Sequence, residues 1–270
     1  MNKSILLGLG VFAVLTSTAM ADVTGYAGKK GGAYDSKVTR LLATFGKDYG
    51  NINKVNTDGS FTILENVNDN PNGFGLAQAD VLASCISQNK CDNVEILGNV
   101  NKECVFFIAN TNSGIDDEDD LVNKRVLVGN KGSGAEGTLN FMRQLESDYK
   151  TIAMGYGNFD VSLQKLAGNT KDYDVLMFVA TPSIDNKYFK IISENKNLKI
   201  FGADDYSMND KLPSGESIYT FETVDVAKGL FNDVEVTTAC TNAVLVANKE
   251  APFIESLANT MLTNKAILQQ

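Results

Sequence analysis

The sequence predicts an α/β fold with largely parallel sheets, in one large domain or two small ones. Short β-rich runs alternate along the chain with stretches whose apolar residues fall at helical spacing, the pattern of α/β architecture. Asp174 to Val179 (Asp-Val-Leu-Met-Phe-Val) is nearly all apolar, as in a strand buried on both faces. No fixed-period repeat and no low-complexity linker divides the chain, as expected of two lobes that share crossing strands.

The elements follow in order. Val23-Thr24 is a strand entering a glycine-rich turn, Gly25 to Gly32, and Tyr34, Val38, Leu41, Leu42 and Phe45 then mark one face of a helix. Ile52 to Val55 is a strand that ends at Thr57-Asp58-Gly59-Ser60, a turn or helix start. Phe74-Gly75-Leu76 is a short strand before a helix with Val81, Leu82, Cys85 and Ile86 on one face. Val94 to Leu97 and Val105 to Ala109 are expected as two further strands. Arg125 to Gly129 is a strand, Gly132-Ser133-Gly134 a turn, and Thr138 to Tyr149 a helix. Leu198 to Phe201 and Val234 to Val246 are strands, and Phe253, Ile254, Leu257, Met261 and Leu262 form a closing helix.

Residues 1–21 are expected to be a secretory signal peptide. Lys3 gives the positive start, Ile5 to Leu15 the apolar stretch and Ala19-Met20-Ala21 the small-residue cleavage site. No later run is apolar enough to span a bilayer, so direct membrane insertion is not expected and the mature chain is placed in the periplasm. The chain has 24 basic and 33 acidic residues; without Lys3 this becomes 23 against 33, a net charge of -10. Such a surface repels nucleic acid and anionic lipid, and neither is expected as a partner. The chain contains no His, which removes His-based triads and the commonest transition-metal ligand. No catalytic residue, metal site or cofactor is assigned. Four cysteines, Cys85, Cys91, Cys104 and Cys240, allow three pairings in an oxidising compartment. Cys85 and Cys91 flank the polar loop Ser87 to Lys90 and are close enough for a local bridge. Cys104 and Cys240 then remain on two distant strand-like runs, with small buried thiols as the alternative.

The most informative motif is the strand–turn–helix around Gly132-Ser133-Gly134-Ala135. Its glycines let the backbone approach a ligand, Ser133 offers a hydroxyl, and the first N–H groups of the following helix lack intrahelical acceptors. Together with the helix dipole they form a site for carboxylate or phosphate. The same glycines equally suit a plain tight turn, and the motif meets neither the Walker A nor the GxGxxG pattern. Gly31-Gly32-Ala33-Tyr34, Thr57-Asp58-Gly59-Ser60 and Gln78-Ala79-Asp80 open three more helices at strand ends, where open α/β sheets bind ligands. Lys29 and Lys131 are weaker candidates in adjoining turns. Asp116 to Asp120 lacks the ligand spacing of a calcium loop and is expected to be a solvated helix start, and Asn68 to Gly73 a turn.

These pieces, in this order, resemble the TAXI family, the solute receptors of tripartite ATP-independent periplasmic (TRAP) transporters. The resemblance lies in Thr24-Gly25, Gly31-Gly32-Ala33-Tyr34, Thr57-Asp58-Gly59-Ser60, Gln78-Ala79-Asp80, and Leu121 with Lys124-Arg125-Val126 and Gly132-Ser133-Gly134. It fades after about Ile200. The chain departs from the family pattern in the inserted Ala27-Gly28-Lys29-Lys30, in Asp35, in Asn123 before Lys124, and in Ala135 after Gly134.

The resemblance implies a two-lobed type II periplasmic-binding-protein fold whose lobes are joined by crossing strands. Residues 22–109 would begin lobe 1, 110–234 form lobe 2, and 235–270 return to lobe 1. Val105 to Asn110 and Glu235 to Val246 would be the crossing strands, which brings Cys104 near Cys240. The ligand would be a small anion, glutamate-like or another small carboxylate, held by Gly32, Tyr34, Thr57, Ser60, Gln78, Asp80, Gly132, Ser133, Gly134 and Ala135. The receptor would be a monomer that hands its ligand to a membrane permease. A phosphonate-type receptor of an ABC importer and a ligand-presenting sensory protein are the alternatives; an enzyme is disfavoured by the missing His.

Overall fold

In the computed structural model, residues 22–46, 49, 51–170, 172–211, 215, 217–227, 234–264 and 266 are described. The expected signal peptide lies outside them. The turns at Gly28 to Gly32 and Thr57 to Gly59 each hand a strand to a helix. Val23–Ala27 (β1) leads to Ala33–Phe45 (α1), and Ile52–Asn56 (β2) to Ser60–Asp69 (α2). Gly73–Gln78 (β3) runs directly into Ala79–Ser87 (α3). Val94–Asn110 (β4) is followed by Arg125–Leu127 (β5), Gly134–Leu145 (α4), Ala153–Gly155 (β6), Phe159–Ala167 (α5) and Val175–Ala180 (β7). Lys187–Ser193 (α6), Leu198–Phe201 (β8), Thr220–Ala227 (β9), Val234–Asn248 (β10) and Ile254–Thr263 (α7) complete the order.

All ten strands join one sheet in the order β2-β1-β3-β10-β4-β7-β5-β6, with β8 on β4 and β9 on β10. Toward each end the strands are parallel: β1 with β2 and β3, and β5 with β6 and β7. The centre is antiparallel, because β10 pairs with β3, β4 and β9 while β4 continues onto β7 and β8. The sheet is therefore mixed rather than largely parallel. β4 and β10 cross between two helix-covered lobes, giving the expected α/β architecture. The crossing begins earlier than Val105: β4 is one long strand, and the two runs expected at Val94 and Val105 are its ends. Asn99, Asn101 and Lys102 break the apolar pattern in between, and register shifts against β10 bend the ladder there.

Cys104 and Cys240 face each other across that ladder and are bonded, as are Cys85 and Cys91 at the end of α3. Gly25 belongs to β1 rather than to the turn, with Val38, Leu42 and Phe74 packed around it. The helix expected at Thr138 starts at Gly134, because Ser133 caps it, and stops before Tyr149. Asp119–Leu121 forms a single 3-10 turn in place of a helix start.

A buried apolar cluster holding Ile63, Leu64, Val81 and Leu82 of lobe 1 with Leu139, Phe141 and Met142 of lobe 2 runs through both lobes. A second lies under α1 and α7, and a third, around Phe106, Phe178 and Phe189, under α5 and α6. No helix among the described residues is long and apolar enough to cross a membrane.

Candidate functional site

A cleft of about 370 Å³ opens between the lobes where the turns before α1, α2 and α4 converge. Lobe 1 contributes Gly28, Lys29, Gly32 to Tyr34, Gly59, Ser60, Gln78 and Glu103; lobe 2 contributes Val128, Ser133 to Ala135, Phe159, Met177 to Val179 and Tyr188. The first turn is pinned from below by Asp35, which accepts from the Gly31 N–H at 2.9 Å and from Lys54 and Asn56. Those bonds hold its carboxyl well below the usual carboxylate range. The Gly32 to Tyr34 backbone is thereby fixed at the cleft edge.

Two short hydrogen-bonded chains build the lobe-1 wall. Tyr34 donates its hydroxyl to Glu103 at 2.9 Å. Ser60 donates to the Gln78 side-chain oxygen at 3.2 Å, and the Gln78 amide nitrogen donates across the lobes to Thr138 at 3.3 Å. Burial pushes the Glu103 carboxyl up to about 7, against the lowering effect of Tyr34, Asn101 and the Lys37 ammonium. The lobes touch closely here. A side chain on Gly134 would put its Cβ 1.8 Å from the Gln78 oxygen, and one on Gly59 would meet the Gly134 nitrogen at 2.8 Å. Only glycine allows both approaches.

Ser133 caps α4 by accepting from the Glu136 N–H at 3.2 Å and donates its own proton to the Val128 carbonyl at 2.9 Å. The hydroxyl expected to donate to a ligand is thus engaged within the turn. What the turn presents is backbone, at the positive end of a helix of 12 residues. Behind it stands an aromatic group. Phe159 and Tyr188 have ring centroids 4.7 Å apart, Phe178 and Tyr188 5.3 Å, and Phe159 and Phe178 5.8 Å.

Of the residues singled out in the sequence, Gly32, Tyr34, Ser60, Gln78, Ser133, Gly134 and Ala135 meet in this cleft. Thr57, Asp80 and Gly132 do not. Thr57 bonds the Ala27 carbonyl and the Gly59 backbone, shaping the turn. Asp80 is fully buried beneath the cleft, accepting from the Tyr219 hydroxyl at 2.9 Å, and burial raises its pKa. Gly132 and Lys131 line a separate groove with Asp58, Phe61 and Glu136, whereas Lys29 lies on the cleft rim. Sequence reasoning missed Glu103, Phe159, Phe178 and Tyr188. A charged residue inside the crossing strand, one position before Cys104, was the available signal for the first.

The sequence pattern of the NMT1-like family matches residues 27–270. No curated protein matches the chain in sequence. Among solved structures, it is similar to the GluR0 ligand-binding core in complex with L-glutamate, with a TM-score of 0.54 and 12% identity over 93% of this chain and 96% of that one. An ancestral arginine-binding protein bound to arginine gives a TM-score of 0.53 at 10% identity, over 93% and 96%. A substrate-binding protein of an ABC uptake transporter from Streptococcus pneumoniae with bound histidine gives 0.51 at 14%, over 92% and 89%. These likenesses show a two-lobed binding-protein fold.

Proposed function

The chain belongs to the NMT1-like family, and from that premise we propose that it is a periplasmic solute receptor that closes on a small carboxylate and passes it to a membrane permease. The observation that carries the reading is the convergence of the turns before α1, α2 and α4 on one cleft shared by both lobes. Bare N–H groups at a helix start suit a carboxylate, and contacts from both lobes would favour the closed state. Residues 22–109 and 235–270 make one lobe and 110–234 the other, β4 and β10 being the crossing segments. Gly32, Tyr34, Ser60, Gln78, Gly134 and Ala135 contact the ligand, and Ser133 holds the turn. Thr57, Asp80 and Gly132 support this site from outside the cleft. The mature protein starts after residue 21 and acts as a monomer.

The TAXI resemblance favours a TRAP permease as the recipient. A second reading has a specific observation behind it: a similar fold belongs to a component of an ABC uptake transporter. An adjacent gene for an ATPase would favour that reading, and one for a fused membrane permease the first.

The test is a thermal-shift screen of the chain from residue 22 onward with amino acids, dicarboxylates, 2-oxoacids, phosphate and phosphonates. A ligand at about 100 times its Kd stabilises the fold by about 2.7 kcal/mol, a shift of a few degrees. Gln78→Ala should weaken a carboxylate hit by about 0.5–1.5 kcal/mol, and Ser133→Ala by a similar amount through the loosened turn. Unchanged affinity in both variants removes the site assignment. A shift with phosphonates alone removes the carboxylate.

A further inference from the structure

We infer that the cleft takes a monocarboxylate with an apolar, ring-sized tail, and that Phe159 and Tyr188 at the starts of α5 and α6 select that tail. The inference rests on the small-carboxylate reading: the acid end meets the α4 turn, and the tail lies across the lobe-2 aromatic wall beside it.

Seat and wall are adjacent because three parallel strands end together. β5 lies between β6 and β7, and neighbouring strands run about 4.8 Å apart. The turn after β6 is bonded onto the turn after β5: the Gly157 N–H donates to the Gly129 carbonyl at 2.9 Å, and the Val128 N–H donates to the Gly155 carbonyl at 3.0 Å. Asn158 caps α5 by accepting from the Val161 N–H, and Asn186 caps α6 by accepting from the Tyr188 N–H. Both rings therefore stand on fixed helix starts rather than on free loops, next to the α4 turn whose first N–H groups lack intrahelical acceptors. Phe178 of β7 is buried and forms the floor, whereas Phe159 and Tyr188 stay half-exposed and line the cleft. Half-exposed rings in a cleft gain from being covered, and an apolar tail on the ligand covers them. The charges agree. Among the described residues, no lobe-2 side chain lining the cleft is charged, Lys29 on the rim is exposed, and Glu103 is bonded to Tyr34. Lys187 lies over the Tyr188 ring but is paired with Asp160 at 3.5 Å and does not line the cleft. A second carboxylate on the ligand would leave water for an apolar wall with no cation to meet it.

The test is calorimetric titration with hydrocinnamate, propionate and succinate. The three share one carboxylate and its short methylene arm, and differ in whether that arm carries a phenyl ring, a hydrogen or a second carboxylate. Wild-type protein should bind hydrocinnamate about tenfold or more tightly than either of the others, the scale of burying one aromatic side chain. In Phe159→Ser and in Tyr188→Ser that advantage should shrink about fivefold. A pair that only supports the fold would instead lower all three affinities alike. A second arm needs no variant: hydrocinnamate binding should grow more exothermic as temperature rises, the negative heat-capacity change of apolar burial. Hydrocinnamate binding no tighter than succinate overturns the inference and leaves the carboxylate reading standing. An undiminished advantage in both variants, a loss shared equally by all three acids, or a binding enthalpy flat with temperature also overturns it. Phenylpropanol binding as tightly as hydrocinnamate removes the carboxylate seat, and absence of binding by every acid overturns both readings.

Discussion

The two walls of the cleft are made of different material. On the lobe-1 side stand the half-buried Tyr34 and the buried Ser60, Gln78 and Glu103, bonded as the pairs Tyr34–Glu103 and Ser60–Gln78. On the lobe-2 side Phe159, Phe178 and Tyr188 continue outward from the apolar cluster beneath α5 and α6. Burial of the aromatic wall stabilises the fold whether or not a ligand is present. Burial of a carboxylate does the reverse. Substituting the two walls should shift stability in opposite directions.

The largest expected effect is on the aromatic wall. Phe178 is 6% exposed and packs its ring against Phe106, Phe159, Tyr188 and Phe189. Phe178→Ala should lower unfolding free energy by about 3–5 kcal/mol in urea denaturation. A loss under about 1 kcal/mol would mean that this wall is not part of the core, and the contrast would collapse.

Next comes the polar wall, where the sign reverses. Burial lifts the Glu103 carboxyl from 4.5 to about 7 in the folded state. The native chain then holds a proton that the unfolded chain has released, and stability falls as pH rises through that window. Glu103→Gln should be more stable than wild type at pH 8, by up to about 3 kcal/mol, with the difference gone below about pH 4.5. Loss of the Coulomb attraction to Lys37 trims the gain. Urea midpoints of both proteins at pH 5 and pH 8 measure it, and a less stable variant at pH 8 would sink the claim. Asp35 behaves oppositely: its depressed pKa adds stability that is lost below about pH 4.

The same contrast explains what the sequence disclosed. The lobe-1 turns Gly31 to Tyr34 and Gly59-Ser60, and the lobe-2 turn Ser133 to Ala135, were legible because they are local turn chemistry, readable from adjacent residues. The aromatic wall was not. Phe159 and Tyr188 open helices whose strands, β6 and β7, come from separate parts of the chain, and their convergence is tertiary. β6 has three residues and β9 alternates weakly, so neither gave a clear period. Glu103 was hidden differently, because strand alternation places a charged residue on a solvent face unless a cleft covers it. Ser133 stood out from the turn alone, but the engagement of its hydroxyl with Val128 depends on how the turn folds back.

The smallest effect should come from the seam between the walls. Thr138 is fully buried, accepts from the Gln78 amide at 3.3 Å, and its hydroxyl lowers the Asp80 carboxyl. It does not line the cleft, so Thr138→Val tests the inter-lobe bond without touching the ligand surface. The hydroxyl is lost and two buried partners are left under-satisfied, while the apolar contact of Val81 with Gly137 beside it remains. A loss of about 1–2 kcal/mol in urea denaturation, with an unchanged m-value, is the expected result. A loss exceeding that of Phe178→Ala would invert the comparison, making the polar seam rather than the aromatic packing what holds the two walls in place.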